Sequence, residues 1–326
     1  MTVLKVSGVH TSTIGSFPLE DSPANRRRCI DDLLEIDIDF PTYPQLVDMC
    51  KQFLDDLAMQ DQKIVTRNGR YRLIGKEIKT DVSPLGLDPF LWTLQYLEDK
   101  GVKDKVKLKA AITGPFTLAS RIEIKKGSFP YNTAVSNMDL VKQLTAALVK
   151  SCQKVSKETS IISIDEPILG VIVGARTTFR CREEDIIDTY NALKKACEGK
   201  FVGTHICGRI PPNLADTLLK TELDFLSHEF HDTPVNINAY TSNKLEESGK
   251  VLSVGCVSSK NPRLEGTEEI TKVMEKFRQY GDDLIFTPDC GFKNLTVDGS
   301  KEKGYEISIR KLKNMVEALK RFKARE

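Results

Sequence analysis

Short apolar runs rich in β-branched residues alternate along this chain with stretches of helical periodicity, and that alternation restricts the fold more than any other feature. Eight runs read as strands: residues 11–16, 35–40, 106–113, 161–165, 201–205, 224–229, 251–255 and 283–287. Between them, apolar residues recur at helical spacing. Leu140, Leu144, Leu148 and Val155 form one stripe; Ile309, Leu312, Met315, Val316, Leu319 and Phe322 form another, on a basic final helix. Strands that are apolar along their length and alternate with helices argue for an α/β fold with a parallel sheet. Eight such pairs predict a (β/α)8 TIM-type barrel, whose usual size is ~250 residues. The chain has 326 residues. The surplus is assigned to an insertion near residues 60–85, where KIVTRNGRYRLIGKEI reads as a β-hairpin because Asn68-Gly69 suits a type I′ turn. No repeat or linker divides the sequence, so residues 1–326 are expected to form a single barrel domain.

With 48 basic and 46 acidic residues the net charge is +2. That balance predicts neither a nucleic-acid partner nor a membrane-surface one. No apolar run is long enough to span a bilayer, and the N-terminus lacks the apolar core of a signal peptide, so a cytoplasmic protein is expected. Eight scattered cysteines in a reducing compartment should be free, buried or metal-bound.

In such barrels the chemistry sits at the C-terminal ends of the strands. Six of the eight runs end in small, turn-forming or ionisable residues: IGSFP, TGPFT, IDEP, THICG, SHEFHD and TPDCG. Taken singly, each could be an ordinary β-to-α turn. Together they place His205, Cys207, Glu229 and Cys290 on one rim. One nitrogen, two sulfurs and a carboxylate suit zinc, and alternation along an extended segment lets His205 and Cys207 share a face within ~2.0–2.3 Å of one ion. His228 and His231 flank Glu229, and spacing alone does not choose among the three.

The ordered set resembles the catalytic barrel of the cobalamin-independent methionine synthase family. The matching segments are Thr13-Ile14-Gly15-Ser16-Phe17-Pro18, Gly114-Pro115, Ile164-Asp165-Glu166-Pro167, His205-Ile206-Cys207, Glu229 and Pro288-Asp289-Cys290-Gly291-Phe292-Lys293. The resemblance implies zinc bound by His205, Cys207, Glu229 and Cys290. It also implies L-homocysteine held by Ile14, Gly15, Ser16 and Asp165, with Asp48 as a further contact to its amine. The implied reaction is zinc-dependent methyl transfer to the homocysteine thiol, giving L-methionine. A free thiol has a pKa near ~8.5 and is mostly protonated at neutral pH; coordination to zinc deprotonates it.

Two departures bear on the methyl donor. The full-length enzymes of the family carry a first barrel that helps bind a folate tail, which this chain is expected to lack. They also carry a histidine after the seventh strand, proposed to assist proton transfer to the folate. Lys260 stands at that position here and Ser258 stands where an aspartate precedes it. A lysine of pKa ~10.4 is a poor relay at neutral pH, and its plain reading is a solvated surface charge. Short relatives of the family use a methylated corrinoid, which leaves without protonation, so a corrinoid donor, methylcobalamin or a corrinoid protein, is expected. The alternatives are a 5-methyltetrahydrofolate-type donor, methyl transfer to another thiol such as coenzyme M, metal-dependent hydrolysis, and a non-enzymatic zinc-stabilised thiol-binding scaffold.

Overall fold

A computed structural model describes residues 6–174 and 181–325. Among the described residues ten strands follow in chain order: β1 (Val9–Thr11), β2 (Ile64–Arg67), β3 (Arg70–Leu73), β4 (Lys109–Thr113), β5 (Ile122–Glu123), β6 (Ile161–Asp165), β7 (Phe201–Ile206), β8 (Phe225–Glu229), β9 (Val251–Val257) and β10 (Leu284–Pro288). Seven of them form one parallel sheet in the order β1-β10-β9-β8-β7-β6-β4. Parallel bridges from Ser12 to Phe40 and from Thr42 to Lys109 join the two edges through residues 40–42. The ring therefore has eight positions, one of them reduced to single bridges, and helices cover its outside as in a TIM-type barrel.

That reduced position corrects the second expected strand. Residues 35 and 36 belong instead to the helix Pro23–Ile36, which Asp37 ends in a left-handed conformation. Beyond it, the Asp39 carboxylate accepts the Thr11 N–H at 2.7 Å and the Thr11 hydroxyl at 2.9 Å, taking the place of a main-chain ladder. Pro41 then offers no N–H. The apolar run is real, but side-chain bonding replaces the strand pairing there.

The expected hairpin is present as β2 and β3, paired antiparallel across Asn68 and Gly69. Both turn residues have positive φ, 51° and 72°, as a type I′ turn requires. β5 extends this small sheet by pairing with β3. The two expected helical stripes lie in the helices Met138–Glu158 and Lys301–Lys323.

Period-two alternation builds the barrel interior in layers. The floor is an apolar cluster, separate from the main core, of Val6, Phe40, Ile161, Phe201, Phe225, Val251 and Ile285. Two residues further along β6, β7 and β8 come Ser163, Gly203 and Ser227, and two further again Asp165, His205 and Glu229. Apolar residues thus close the bottom, small ones fill the middle, and ionisable ones reach the rim where strands end.

Candidate metal centre

His205 is the next-to-last residue of β7, Cys207 directly follows the strand, and Cys290 stands two residues beyond β10. The turns after β7 and β10, separated in the sheet by β8 and β9, converge over the barrel and bring all three together: their ligand atoms lie within 4.8 Å of one another. His205 is 4% exposed. Its Nδ1 pairs with Ser227 Oγ at 3.1 Å, while its Nε2 is buried with no hydrogen-bond partner. A buried polar atom left unpaired costs ~1–3 kcal/mol. An ion held between this nitrogen and two sulfurs would satisfy it, and the donor set is one zinc prefers. The thiols are unequal: a hydrogen bond from Cys290, together with His205, pulls the Cys207 thiol down, and the same contact pushes Cys290 up.

Glu229 ends β8 but lies outside that three-donor group. Its Oε2 accepts the Gly208 N–H at 2.9 Å, and its Oε1 accepts Thr233 Oγ1 at 2.9 Å and Lys260 Nζ at 2.8 Å. Burial pushes the carboxyl up, but Lys260, Gly208 and Thr233 outweigh it and hold the group below its ordinary range. Lys260 is therefore ion-paired to the rim through its ammonium, although 64% of its side chain is exposed.

The neighbours of Glu229 have other employment. His228 is fully buried, with Nδ1 bonded to the Ile206 carbonyl at 3.1 Å and Nε2 to Tyr240 Oη at 2.9 Å. Burial pulls it down to about 3, so it is a neutral core histidine with no free nitrogen. His231 pairs with Asp232 at 3.0 Å. Asp289 accepts the N–H groups of Phe230, His231 and Asp232 at 2.9, 2.9 and 2.6 Å. It ties the end of β8 to the turn that carries Cys290.

Of the residues expected to hold substrate, Ile14 is buried, Gly15 adopts φ 120°, and the Ser16 carbonyl accepts the Phe292 N–H at 2.8 Å. A Cβ at Gly291 would lie 1.9 Å from Ser16 Oγ, so the first turn rests directly on the turn carrying Cys290. Asp165 is 5% exposed and accepts from Ser163 Oγ, with burial pushing its carboxyl up. Its neighbour Glu166 serves the scaffold, accepting the N–H groups of Phe116 and Thr117 at 2.8 and 2.7 Å and bonding Thr117 Oγ1 at 2.6 Å. Asp48 stands apart. It caps the helix Met49–Gln60 through Oδ1 and lines a cleft of about 480 Å³ between hairpin and rim, with Oδ2 at 4.0 Å from Arg121.

Sequence reasoning missed three residues that shape the centre. Ser227 orients His205, and Thr233, beside Lys260, holds Glu229. Lys109, buried inside the barrel, donates to the Thr13 carbonyl beside the first turn, and burial pulls it down to about 8. Only Ser227 carried a sequence signal, its two-residue offset from Glu229.

Residues 87–321 match the family model described as the cobalamin-independent synthase, catalytic domain. The chain belongs to that family. A curated methionine synthase from Methanocaldococcus jannaschii is 29% identical over 285 residues, 82% of this chain and 83% of its own. One from Methanothermobacter thermautotrophicus is 32% identical over 65% of this chain and 62% of its own. Among solved structures, a B12-independent methionine synthase from a Shewanella species, in complex with selenomethionine, superposes with a TM-score of 0.69 at 18% identity, covering 98% of this chain and all of that one (100%). A methyltransferase from Methanosarcina mazei gives 0.65 at 14% identity, covering 98% and 95%. These structures share the barrel fold. Membership runs against the corrinoid donor and corrinoid-protein partner expected from the sequence, because the family is cobalamin-independent. No helix among the described residues is long and apolar enough to cross a membrane.

Proposed function

We propose that this protein methylates the thiol of L-homocysteine to give L-methionine, with zinc held by His205, Cys207, Cys290 and Glu229. The unpaired Nε2 of His205, set beside two cysteine thiols on the rim, is the observation that carries the reading. Zinc bound there would hold the substrate sulfur as a thiolate at neutral pH.

The chain's own residues supply the rest. The Ser16 hydroxyl stands over the Cys290 turn, where it can donate to the substrate carboxylate. Asp165, at the rim end of β6, can accept from the α-ammonium and balance its charge. A thiol lacking an amine, such as coenzyme M, would leave that buried carboxylate unmatched. The substrate's thiol proton passes to solvent on binding. Its sulfur then forms a bond to the methyl carbon as the bond to the donor breaks, and the leaving group keeps the electron pair. Fixing sulfur and methyl in line supplies much of the acceleration.

The test incubates zinc-loaded protein with homocysteine and either 5-methyltetrahydrofolate or methylcobalamin. Methionine from either donor, abolished in Cys207→Ser and Asp165→Asn, supports the acceptor chemistry. Zinc-loaded protein that binds no homocysteine would refute it.

A further inference from the structure

Lys260 lies on the loop after β9, and that loop is built to hold it. Ser258 is fully buried, donates to Asp232 Oδ2 at 2.6 Å, and accepts the N–H groups of Lys260 and Asn261 at 3.2 and 3.0 Å. The Ser258 N–H is bonded to Glu265 at 3.1 Å, and Glu265 pairs with buried Lys311 of the final helix at 2.7 Å. From this anchored backbone Lys260 reaches Glu229 at 2.8 Å.

The contact decides what Glu229 can offer a metal. A carboxylate has about four lone-pair sites. Lys260, Thr233 and the Gly208 N–H occupy three of them, leaving one on Oε2. A carboxylate already neutralised by an ammonium is also a weaker donor. Charge adds a second consequence. A divalent ion with two thiolates and a carboxylate carries one net negative charge, and a substrate thiolate would make it two. The Lys260 ammonium returns the total to one.

We propose that Lys260 is a positioning residue that acts through Glu229: it weakens the carboxylate's hold on the metal and compensates the charge of the incoming substrate thiolate. The inference rests on the zinc-site reading above and gives the lysine at this position a role other than proton relay.

The experiment measures two affinities in wild-type, Lys260→Met and Lys260→Arg protein. Zinc affinity is read by chelator competition, and homocysteine affinity by calorimetry on the zinc-loaded forms. Lys260→Met should bind zinc as tightly as wild type or more tightly. It should bind homocysteine about tenfold more weakly, the effect of losing one nearby charge at a partly screened site. Lys260→Arg should restore most of the loss. Homocysteine binding unchanged in Lys260→Met would overturn the proposal, as would zinc affinity falling in parallel, the sign of a structural role. Absence of zinc from folded wild-type protein would remove the underlying site reading instead.

Discussion

Replacing Ser227 with alanine tests whether the barrel interior prepares His205 for a metal. Ser227 is 2% exposed and its hydroxyl meets His205 Nδ1 at 3.1 Å. That bond settles which imidazole nitrogen is free, because Nε2 has no partner. In Ser227→Ala the ring loses its tether, and both nitrogens compete for the unmet role. A neutral hydrogen bond contributes ~0.5–1.5 kcal/mol net, so global stability should fall by about that much. Metal affinity should fall further, because partners that orient a ligating histidine are worth roughly 10–100-fold in affinity. Chelator competition gives the zinc affinity, and urea unfolding of the metal-free protein gives the stability. Ser163→Ala serves as the control: Ser163 occupies the same interior layer but bonds Asp165 rather than His205. Zinc affinity within about twofold of wild type in Ser227→Ala, with the protein folded, would refute the reasoning.

Three further outcomes follow from the same geometry. Glu166→Ala leaves two buried backbone N–H groups and the Thr117 hydroxyl without their acceptor; at ~1–3 kcal/mol each it should rank among the most destabilising single changes in urea unfolding, and a loss under about 1 kcal/mol would contradict this. Gly291→Ala sets a methyl 1.9 Å from Ser16 Oγ, so homocysteine binding should weaken while zinc content holds, as calorimetry and metal analysis would show. Asp39 is held down at about 2 by His10 and by the Thr11 N–H and hydroxyl, which outweigh its burial. Its folded-state pKa lies below its unfolded one, so its contribution is present above about pH 4 and lost as pH falls toward 2. The stability gap between wild type and Asp39→Asn should therefore be open at pH 6 and shrink through that window, and a gap independent of pH would count against the pairing.

The strands from Ile161 onward were legible because each is buried on both faces and begins as an apolar run. The hairpin was legible because Asn68-Gly69 is a strong local signal. The second barrel position was not, because Asp39 and Pro41 replace its ladder with side-chain bonding and a missing donor. At the site, the turns carrying His205, Cys207 and Cys290 stood out by composition alone. Spacing could not separate Glu229 from His228, since what disqualifies His228 is Tyr240 and the Ile206 carbonyl, reached only by folding. The pairing of Lys260 was hidden for the same reason: its partner lies 31 residues away at the end of β8. Contacts made across the rim carry no local pattern, and the centre is assembled largely from such contacts.

The proposed reaction depends on a zinc ion that His205, Cys207 and Cys290 would hold and that would take up the homocysteine sulfur. X-ray absorption at the zinc edge, on purified protein with and without homocysteine, reads that sulfur count. About one zinc per chain is expected, with two sulfur neighbours at ~2.3 Å, rising to three when homocysteine is added. Folded protein without zinc, or a sulfur count that homocysteine leaves at two, would contradict it.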